Sequence, residues 1–278
     1  LEEMYAANLG VSVEKKGLTH ILTYEITIIN NQYTLNGEDL LNEGLLFLND
    51  ILYNPFFDEG ILKEEKRLLD DYHQSIYANK MRFAMKEALA SMYEGELYDI
   101  GALGNQEEIA SITLNDIKEA YTQMITKDVV NISVIGDIDY HEMIKKISET
   151  LSIKNHKKEL MLLDKTPKRD KGVTELCTIQ DVSQAKLVIG YQFPVYYGTD
   201  DYYKAVVLNN LLGGNTESLL FKRIREELSL VYFISSVYDN YKGTLLIYGG
   251  INKEEKERTI KEIDQILMDL ENKNFDDK

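Results

Sequence analysis

The sequence contains one cysteine, no tryptophan and only three prolines among its 278 residues. A single cysteine, Cys177, excludes an internal disulfide, so the fold depends on a hydrophobic core, which a chain of this length can bury without cross-links. No apolar run approaches the roughly 18–20 residues of a membrane span, and the acidic start does not read as a signal peptide. We therefore expect a cytoplasmic protein with no membrane partner.

Basic residues are in the minority. Lys and Arg number 31 against 47 Asp and Glu, for a formal net charge of −16. A negative field of this size disfavours binding to nucleic acid and to anionic membranes, and it suits solubility or the binding of basic peptides. We therefore predict no nucleic-acid partner.

Complete catalytic motifs are also missing. No two histidines are spaced as in H-E-x-x-H, and the chain has no G-x-S-x-G, G-x-x-x-x-G-K-[ST] or G-x-G-x-x-G segment. Asp70, Asp71 and His73 cluster on one predicted helix, but a helix face presents at most two of them, and a catalytic zinc takes about three protein ligands. Cys177 lies in a predicted strand, and we expect it to be a buried structural thiol. We expect no catalytic residue in this chain.

The patterns that are present predict an α+β fold. Runs rich in β-branched residues predict strands at 9–14, 20–29, 128–135, 173–180, 184–193, 230–238 and 243–250. Apolar spacing and cap residues predict helices at 37–53, 58–78, 80–94, 139–151, 199–212, 216–228 and 253–271. Thr113 with Asp116 predicts a capping box at the start of a further helix. The 58–78 helix is expected to bury one stripe, which consists of Ile61, Glu65, Leu68, Tyr72 and Ile76.

One pattern occurs near both ends of the chain. A strand, a turn, a second strand and a short polar loop lead into a helix over residues 9–53 and again over 230–271. We interpret this as a first repeat at 1–155 lacking its N-terminal part, a lysine-rich linker at 156–172 and a second repeat at 173–278 lacking its C-terminal part. On this interpretation both ends of the intact protein lie outside the chain. Chance similarity of two α+β patterns is the alternative.

A family signature stands at residues 211–232, which read LLGGNTESLLFKRIREELSLVY. This segment resembles the second-half signature of the insulinase/pitrilysin-type (M16) metallopeptidases, L-G-G-x-x-x-S-x-L-F and then R-E-x-x-x-L-x-Y. The N-P-x-F pattern at 54–57 and the Gly136-Asp137 pair after a β-branched run are similar to first-half elements of that family. The resemblance covers about residues 5–271. It implies two repeated M16-type (LuxS/MPP-like) domains, in which antiparallel sheets pack against helices.

The resemblance also implies roles for individual residues. Arg225 and Tyr232 match the signature Arg and Tyr, which in that family reach the substrate backbone; a guanidinium and a phenol can donate to a peptide carbonyl. Active members take two zinc ligands from H-x-x-E-H and a third from a Glu seven residues after an acidic residue. Seven residues after Glu65 stands Tyr72, which is not an ordinary ligand of hydrolytic zinc.

Counting seven residues from Glu64 instead of Glu65 is the other register, and it gives Asp71 as the third ligand. We favour Glu65 and Tyr72, because they share the predicted stripe, and we interpret them as a degenerate ligand region that holds no metal. The favoured hypothesis is thus a zinc-less pseudo-peptidase, similar to bacterial M16-like proteins without the zinc motif. It has no cofactor, binds peptide or unfolded polypeptide, and forms a homodimer or a heterodimer with an active M16-type subunit.

Two other functions stay open. One is an active zinc-dependent endopeptidase, with H-x-x-E-H upstream of this chain, zinc as its cofactor and Asp71 as the third ligand. The other is a structural assembly subunit. The choice between an inactive and an active protein depends on Tyr72 and its spacing from Glu65, and the choice between a peptide-binding and a structural subunit depends on whether Arg225 contributes to peptide affinity.

Overall fold

The computed structural model describes residues 2–153 and 172–272, which form two compact units. The first unit contains residues 2–15, 19–71 and 102–153, and the second contains 16–18, 72–101 and 172–272. The α+β class, with antiparallel strands and packed helices, is confirmed. The predicted repeat boundaries stay a prediction, and residues 156–171 of the predicted linker lie outside the described residues. None of the described helices is long and apolar enough to span a membrane.

The elements have the following bounds. The strands are β1 (Asn8–Lys16), β2 (Thr19–Thr27), β3 (Ala185–Gln192), β4 (Val231–Asp239) and β5 (Thr244–Ile251). The α-helices are α1 (Leu40–Tyr53), α2 (Glu59–Ala78), α3 (Lys80–Met92), α4 (Gln106–Ile109), α5 (Leu114–Lys127), α6 (Tyr140–Thr150), α7 (Tyr202–Asn209) and α8 (Lys256–Glu271). Two π-helical segments follow α7, and we name them π1 (Asn210–Gly214) and π2 (Phe221–Glu227).

The predicted capping box begins α5. The Asp116 N–H donates to Thr113 Oγ1 at 3.2 Å, and the Thr113 N–H donates to Asp116 Oδ2 at 2.7 Å. The Thr113 hydroxyl also donates to Asp116 Oδ2 at 2.7 Å, and this bond, together with the one from the Thr113 N–H, holds the pKa of the Asp116 carboxyl below its usual value. Two N–H groups that the helix cannot satisfy internally are thereby bonded, so the local sequence alone is sufficient to start this helix.

Two predicted strands, 128–135 and 173–180, are wrong. Both segments are described, and neither forms a strand or enters either sheet of the described chain. The first keeps Val130, Ile132 and Val134 exposed, and the second keeps Ile179 exposed. The expected burial of the Cys177 thiol in the second segment is also wrong, since Cys177 is exposed. A β-branched run is suited to a strand but becomes one only when another strand supplies the hydrogen bonds.

The predicted buried stripe of α2 is also wrong. Glu65 and Tyr72 are exposed, whereas His73, one residue further along the helix, is buried. In the first unit the inward side carries Lys66, whose ammonium donates to the carbonyl oxygen of Ala110 at 2.9 Å. The helix has apolar residues on two stripes that lie one residue, or about 100°, apart. Only the neighbouring elements decide which stripe is covered.

The second unit is built on a three-stranded antiparallel sheet with the order β3-β5-β4. Its central strand β5 is buried along almost its whole length. The segments π1 and π2 approach β4 closely: a Cβ added to Gly213 would lie 2.7 Å from the backbone nitrogen of Ser236. The core residues here share an exposed fraction of 1% or less, and they are Leu212, Leu220, Ile224, Ile247 and Ile263.

A buried lysine joins the β4–β5 turn to the segment that follows α3. The side chain of Lys242 is fully buried, and its ammonium donates to Glu96 Oε2 at 2.6 Å. The same ammonium lies over the rings of Tyr93 and Tyr98, 4.6 and 5.0 Å from their centroids. We call these four residues the Lys242 cluster. It holds residues 93–98 in the second unit.

Candidate functional site

Arg225 lies on π2, close to the point where this helix turns into β4. The fully buried Ile224 anchors the helix to the core. The chain then reverses at Ser229, whose φ of 52° is left-handed, while the Leu230 N–H donates to the carbonyl oxygen of Ile224. The Arg225 guanidinium carbon lies 4.5 Å from the centroid of the Phe221 ring, one helical turn earlier. This cation–π contact restricts the directions in which the guanidinium can point.

Tyr232 lies at an irregularity in β4. The register between β4 and β5 shifts between Val231 and Phe233, as in a β-bulge. A bulge turns the extra side chain out of the regular alternation and is common near functional sites. The Tyr232 side chain is 61% exposed, and its hydroxyl donates to Asn252 Oδ1 at 3.4 Å. The ring is therefore presented to solvent and oriented by the residue that follows β5.

Arg225 and Tyr232 border one cavity of about 370 Å³, which we name the Arg225 cavity. Its lining residues are Arg225, Ser229, Leu230, Val231, Tyr232 and Asn252. The structure thus brings together the two residues that sequence reasoning selected. Sequence reasoning missed Ser229 and Asn252, because the first occupies an unspecified position of the signature and the second lies 20 residues beyond Tyr232.

The basic side chains of π2 differ in whether a carboxylate of the chain pairs with them. Lys222 forms an ion pair with Glu217 at 2.8 Å, and this hydrogen bond raises the pKa of the Lys222 ammonium. Arg223 pairs with Glu227 at 2.9 Å, which raises the pKa of its guanidinium. Arg225, on the same helix, has no carboxylate at ion-pair distance among residues 2–153 and 172–272. It is therefore the basic residue of π2 that can accept an outside anion.

The degenerate ligand region lies on α2. Tyr72 is 42% exposed, and its ring meets the His73 ring edge-on at 5.6 Å between centroids. Asp71, the ligand in the other register, forms an ion pair with Arg67 at 2.6 Å, and Glu64 bonds the same guanidinium at 2.6 Å. That contact holds the pKa of the Glu64 carboxyl below its usual value.

A zinc site would need several ligand side chains to converge. In the described part of the chain, no three His, Cys, Asp or Glu side chains converge so that they could hold a metal ion. Catalytic zinc sites take about three such ligands and leave one position open. The described residues therefore do not fit a hydrolytic zinc site.

Residues 111–278, more than half of the chain, match the family model described as the peptidase M16 inactive domain. The chain belongs to the peptidase M16 family. The matched range contains π2 and β4, and thus Arg225 and Tyr232, whereas α2 lies before it. The resemblance inferred from the signature at 211–232 is confirmed.

Individual M16 relatives are similar to most of the chain. The probable inactive metalloprotease YmfF of Bacillus subtilis is 28% identical over 284 residues, which are 100% of this chain and 66% of YmfF. The uncharacterized zinc protease YmxG of the same organism is 28% identical over 250 residues, 87% of this chain and 59% of YmxG.

The crystal structure of a conserved protein from Enterococcus faecalis superposes with a TM-score of 0.91 at 27% identity. The superposition covers 100% of this chain and 66% of the Enterococcus faecalis chain. The chain therefore spans less than two thirds of the length of each of these relatives.

Proposed function

We propose that this chain is part of an M16-family pseudo-peptidase, which holds a peptide without cutting it and uses no metal. The observation that carries the proposal is the meeting of Arg225 and Tyr232 at one cavity. The relatives include one named as a probable inactive metalloprotease, which supports a non-catalytic role. The peptide-binding role itself is inferred from the chemistry of Arg225 and Tyr232.

The chemistry of the two side chains suits a peptide backbone. The guanidinium and the phenol hydroxyl are both hydrogen-bond donors, and a peptide carbonyl needs donors. The Tyr232 hydroxyl has one proton, which it donates to Asn252 Oδ1 in the free chain, so it must exchange this long bond of 3.4 Å for one to the peptide. The Arg225 guanidinium is oriented by Phe221. Donors that are oriented before binding lose less rotational freedom when the peptide arrives, so they bind it more strongly.

Two features of α2 support the absence of catalysis. Tyr72 stands seven residues after Glu65 and supplies no ordinary ligand for hydrolytic zinc, although the buried stripe that favoured this spacing is not formed. Asp71, which an active zinc endopeptidase would use in the other register, is hydrogen-bonded to Arg67. A metal at Asp71 would have to compete with this guanidinium for the carboxylate.

The proposal extends to partners and compartment. A subunit that holds peptide without cutting it can affect proteolysis by pairing with an active M16-type subunit, so we propose a heterodimer of this kind or a homodimer. The net charge of −16 favours basic peptides. A single exposed cysteine, Cys177, fits the reducing cytoplasm.

Replacing Arg225 with glutamine is expected to weaken peptide binding about tenfold or more, because a charge-assisted hydrogen bond is lost. The Tyr232→Phe change removes one neutral donor and should have a smaller effect. Binding is measured by fluorescence anisotropy with an N-terminally labelled, lysine-rich nonapeptide.

Arg223→Gln is the matched control for this measurement, because Arg223 lies on the same helix but is already paired with Glu227 and Glu262. It should leave the affinity unchanged. If the Arg225 variant bound the peptide as tightly as the unaltered chain, the structural assembly function would be favoured instead.

Metal content provides a second test. The intact protein, dialysed against buffer with added zinc and then against metal-free buffer, should retain far less than one equivalent of zinc per chain by elemental analysis. The intact protein is needed because an H-x-x-E-H motif upstream of this chain would supply two of the three ligands. Treatment with a chelator should leave peptide affinity unchanged, because Arg225 and Tyr232 need no metal. One tightly held equivalent in the chain, or in the intact protein, would support the active endopeptidase.

A further inference from the structure

We infer that the Arg225 cavity binds the free carboxylate at the C-terminus of a peptide, and not an internal segment of the chain. This inference rests on the proposed peptide-binding function and specifies its substrate class. It depends on the charge of the cavity, on the cost of covering Arg225, on the chemistry of the lining and on the size of the space.

The charge of the cavity is the first step. Acidic residues outnumber basic ones by 47 to 31 in this chain, yet none of the six lining residues is acidic. Lys222 and Arg223 are neutralised by carboxylates from their own chain, while Arg225 has no such partner in the described residues. The cavity is thus a locally cationic site within an acidic protein.

The cost of covering Arg225 is the second step. A peptide that lies over this guanidinium removes part of its hydration, and a buried charge is costly unless an opposite charge pairs with it. A backbone carbonyl supplies only a partial charge. A carboxylate supplies a full one, and its two oxygens match the two parallel N–H groups of a guanidinium.

The remaining lining fits the end of a chain. The hydroxyls of Ser229 and Tyr232 and the amide of Asn252 can donate to a carboxylate oxygen, while Leu230 and Val231 provide apolar surface for a terminal side chain. The volume of about 370 Å³ lies at the small end of the range of roughly 300–1,000 Å³ that ligand pockets have. A space of this size has room for a terminal residue.

The net charge of this chain favours a terminal carboxylate over an acidic side chain as the group that Arg225 binds. A peptide rich in Asp or Glu would be repelled by a chain of charge −16, whereas a basic peptide is attracted to it. A basic peptide with a free C-terminus satisfies both conditions, because its only carboxylate is the terminal one. We therefore assign the cavity to the C-terminal carboxylate of basic peptides.

Three labelled nonapeptides test the inference with the full chain. The first is lysine-rich with a free C-terminal carboxylate, the second is the same sequence as a C-terminal amide, and the third is the amide with one internal glutamate. We expect the free acid to bind about tenfold or more tightly than either amide by fluorescence anisotropy. The Arg225→Gln variant should reduce the ratio between acid and amide to about one, while Arg223→Gln should preserve it.

Each other outcome contradicts a specific claim. Equal binding of acid and amide, with both weakened by Arg225→Gln, overturns the terminal-carboxylate inference and leaves peptide binding intact. Tight binding of the glutamate-containing amide overturns the inference in favour of an acidic side chain. Absence of binding for all three peptides contradicts the proposed function itself. Far-ultraviolet circular dichroism of each variant shows that lost binding is not lost folding.

Discussion

Replacing Lys242 with alanine is expected to lower the free energy of unfolding by about 3 kcal/mol or more. The side chain is fully buried, so its removal leaves a cavity beside the rings of Tyr93 and Tyr98 and also deletes the ion pair with Glu96. Glu96, whose side chain is 23% exposed, then loses this ammonium from beside its partly buried carboxylate. The cavity and the lost ion pair both lower the free energy of unfolding.

Urea denaturation followed by far-ultraviolet circular dichroism measures this effect. Lys242→Met separates the two contributions, because methionine keeps most of the buried volume and loses the charge. We expect it to be less destabilising than Lys242→Ala. Hydrogen exchange should also become faster in residues 93–98, which the Lys242 cluster holds against the β4–β5 turn. A loss below about 1 kcal/mol for the alanine variant would show that the cluster does not stabilise the fold.

Replacing Ile224 with alanine is expected to cost about 2–5 kcal/mol, the usual range for deleting a fully buried aliphatic side chain. Ile224 is 0% exposed and lies in the core cluster between π2 and the sheet. Because Arg225 is the next residue, loosening this anchor should also disorder the Arg225 cavity. We therefore expect weaker peptide binding even at temperatures where the variant is still folded.

Val207→Ala is the control for this variant, because the same kind of truncation is made on α7 at a side chain that is 67% exposed. It should change stability by less than about 0.5 kcal/mol. The free energy of unfolding is measured for both, and the peptide affinity alongside it. Equal losses for the two variants would mean that the packing of Ile224 is not what holds π2 on the sheet.

Local chemistry was sufficient to predict several elements. The capping box at Thr113 and Asp116 was predicted and is formed, because both partners lie within one turn of the same helix. Helix α1 and strands β4 and β5 were predicted close to their observed bounds. The signature at residues 211–232 was sufficient to recognise the family, because its spacing is a property of the sequence alone.

Long-range partners decided what local patterns could not. The 128–135 and 173–180 runs have strand-like composition, but no described strand pairs with them. Helix α2 carries two apolar stripes, and contacts such as Lys66 with Ala110 decide that the stripe containing Glu65 and Tyr72 stays exposed. The burial of Lys242 could not be predicted at all, since its partner Glu96 lies 146 residues away.

The sequence by itself determined the family, the α+β class, the tyrosine at position 72 and the choice of Arg225 and Tyr232 as candidate binding residues. These depend on residue identity and spacing, which folding does not change. Only the tertiary structure decided that Arg225 and Tyr232 share a cavity, that Ser229 and Asn252 join them, and that Arg225 has no carboxylate partner in the described chain. Those facts depend on a bulge in β4 and on which acids lie near π2, and both arise from contacts between elements.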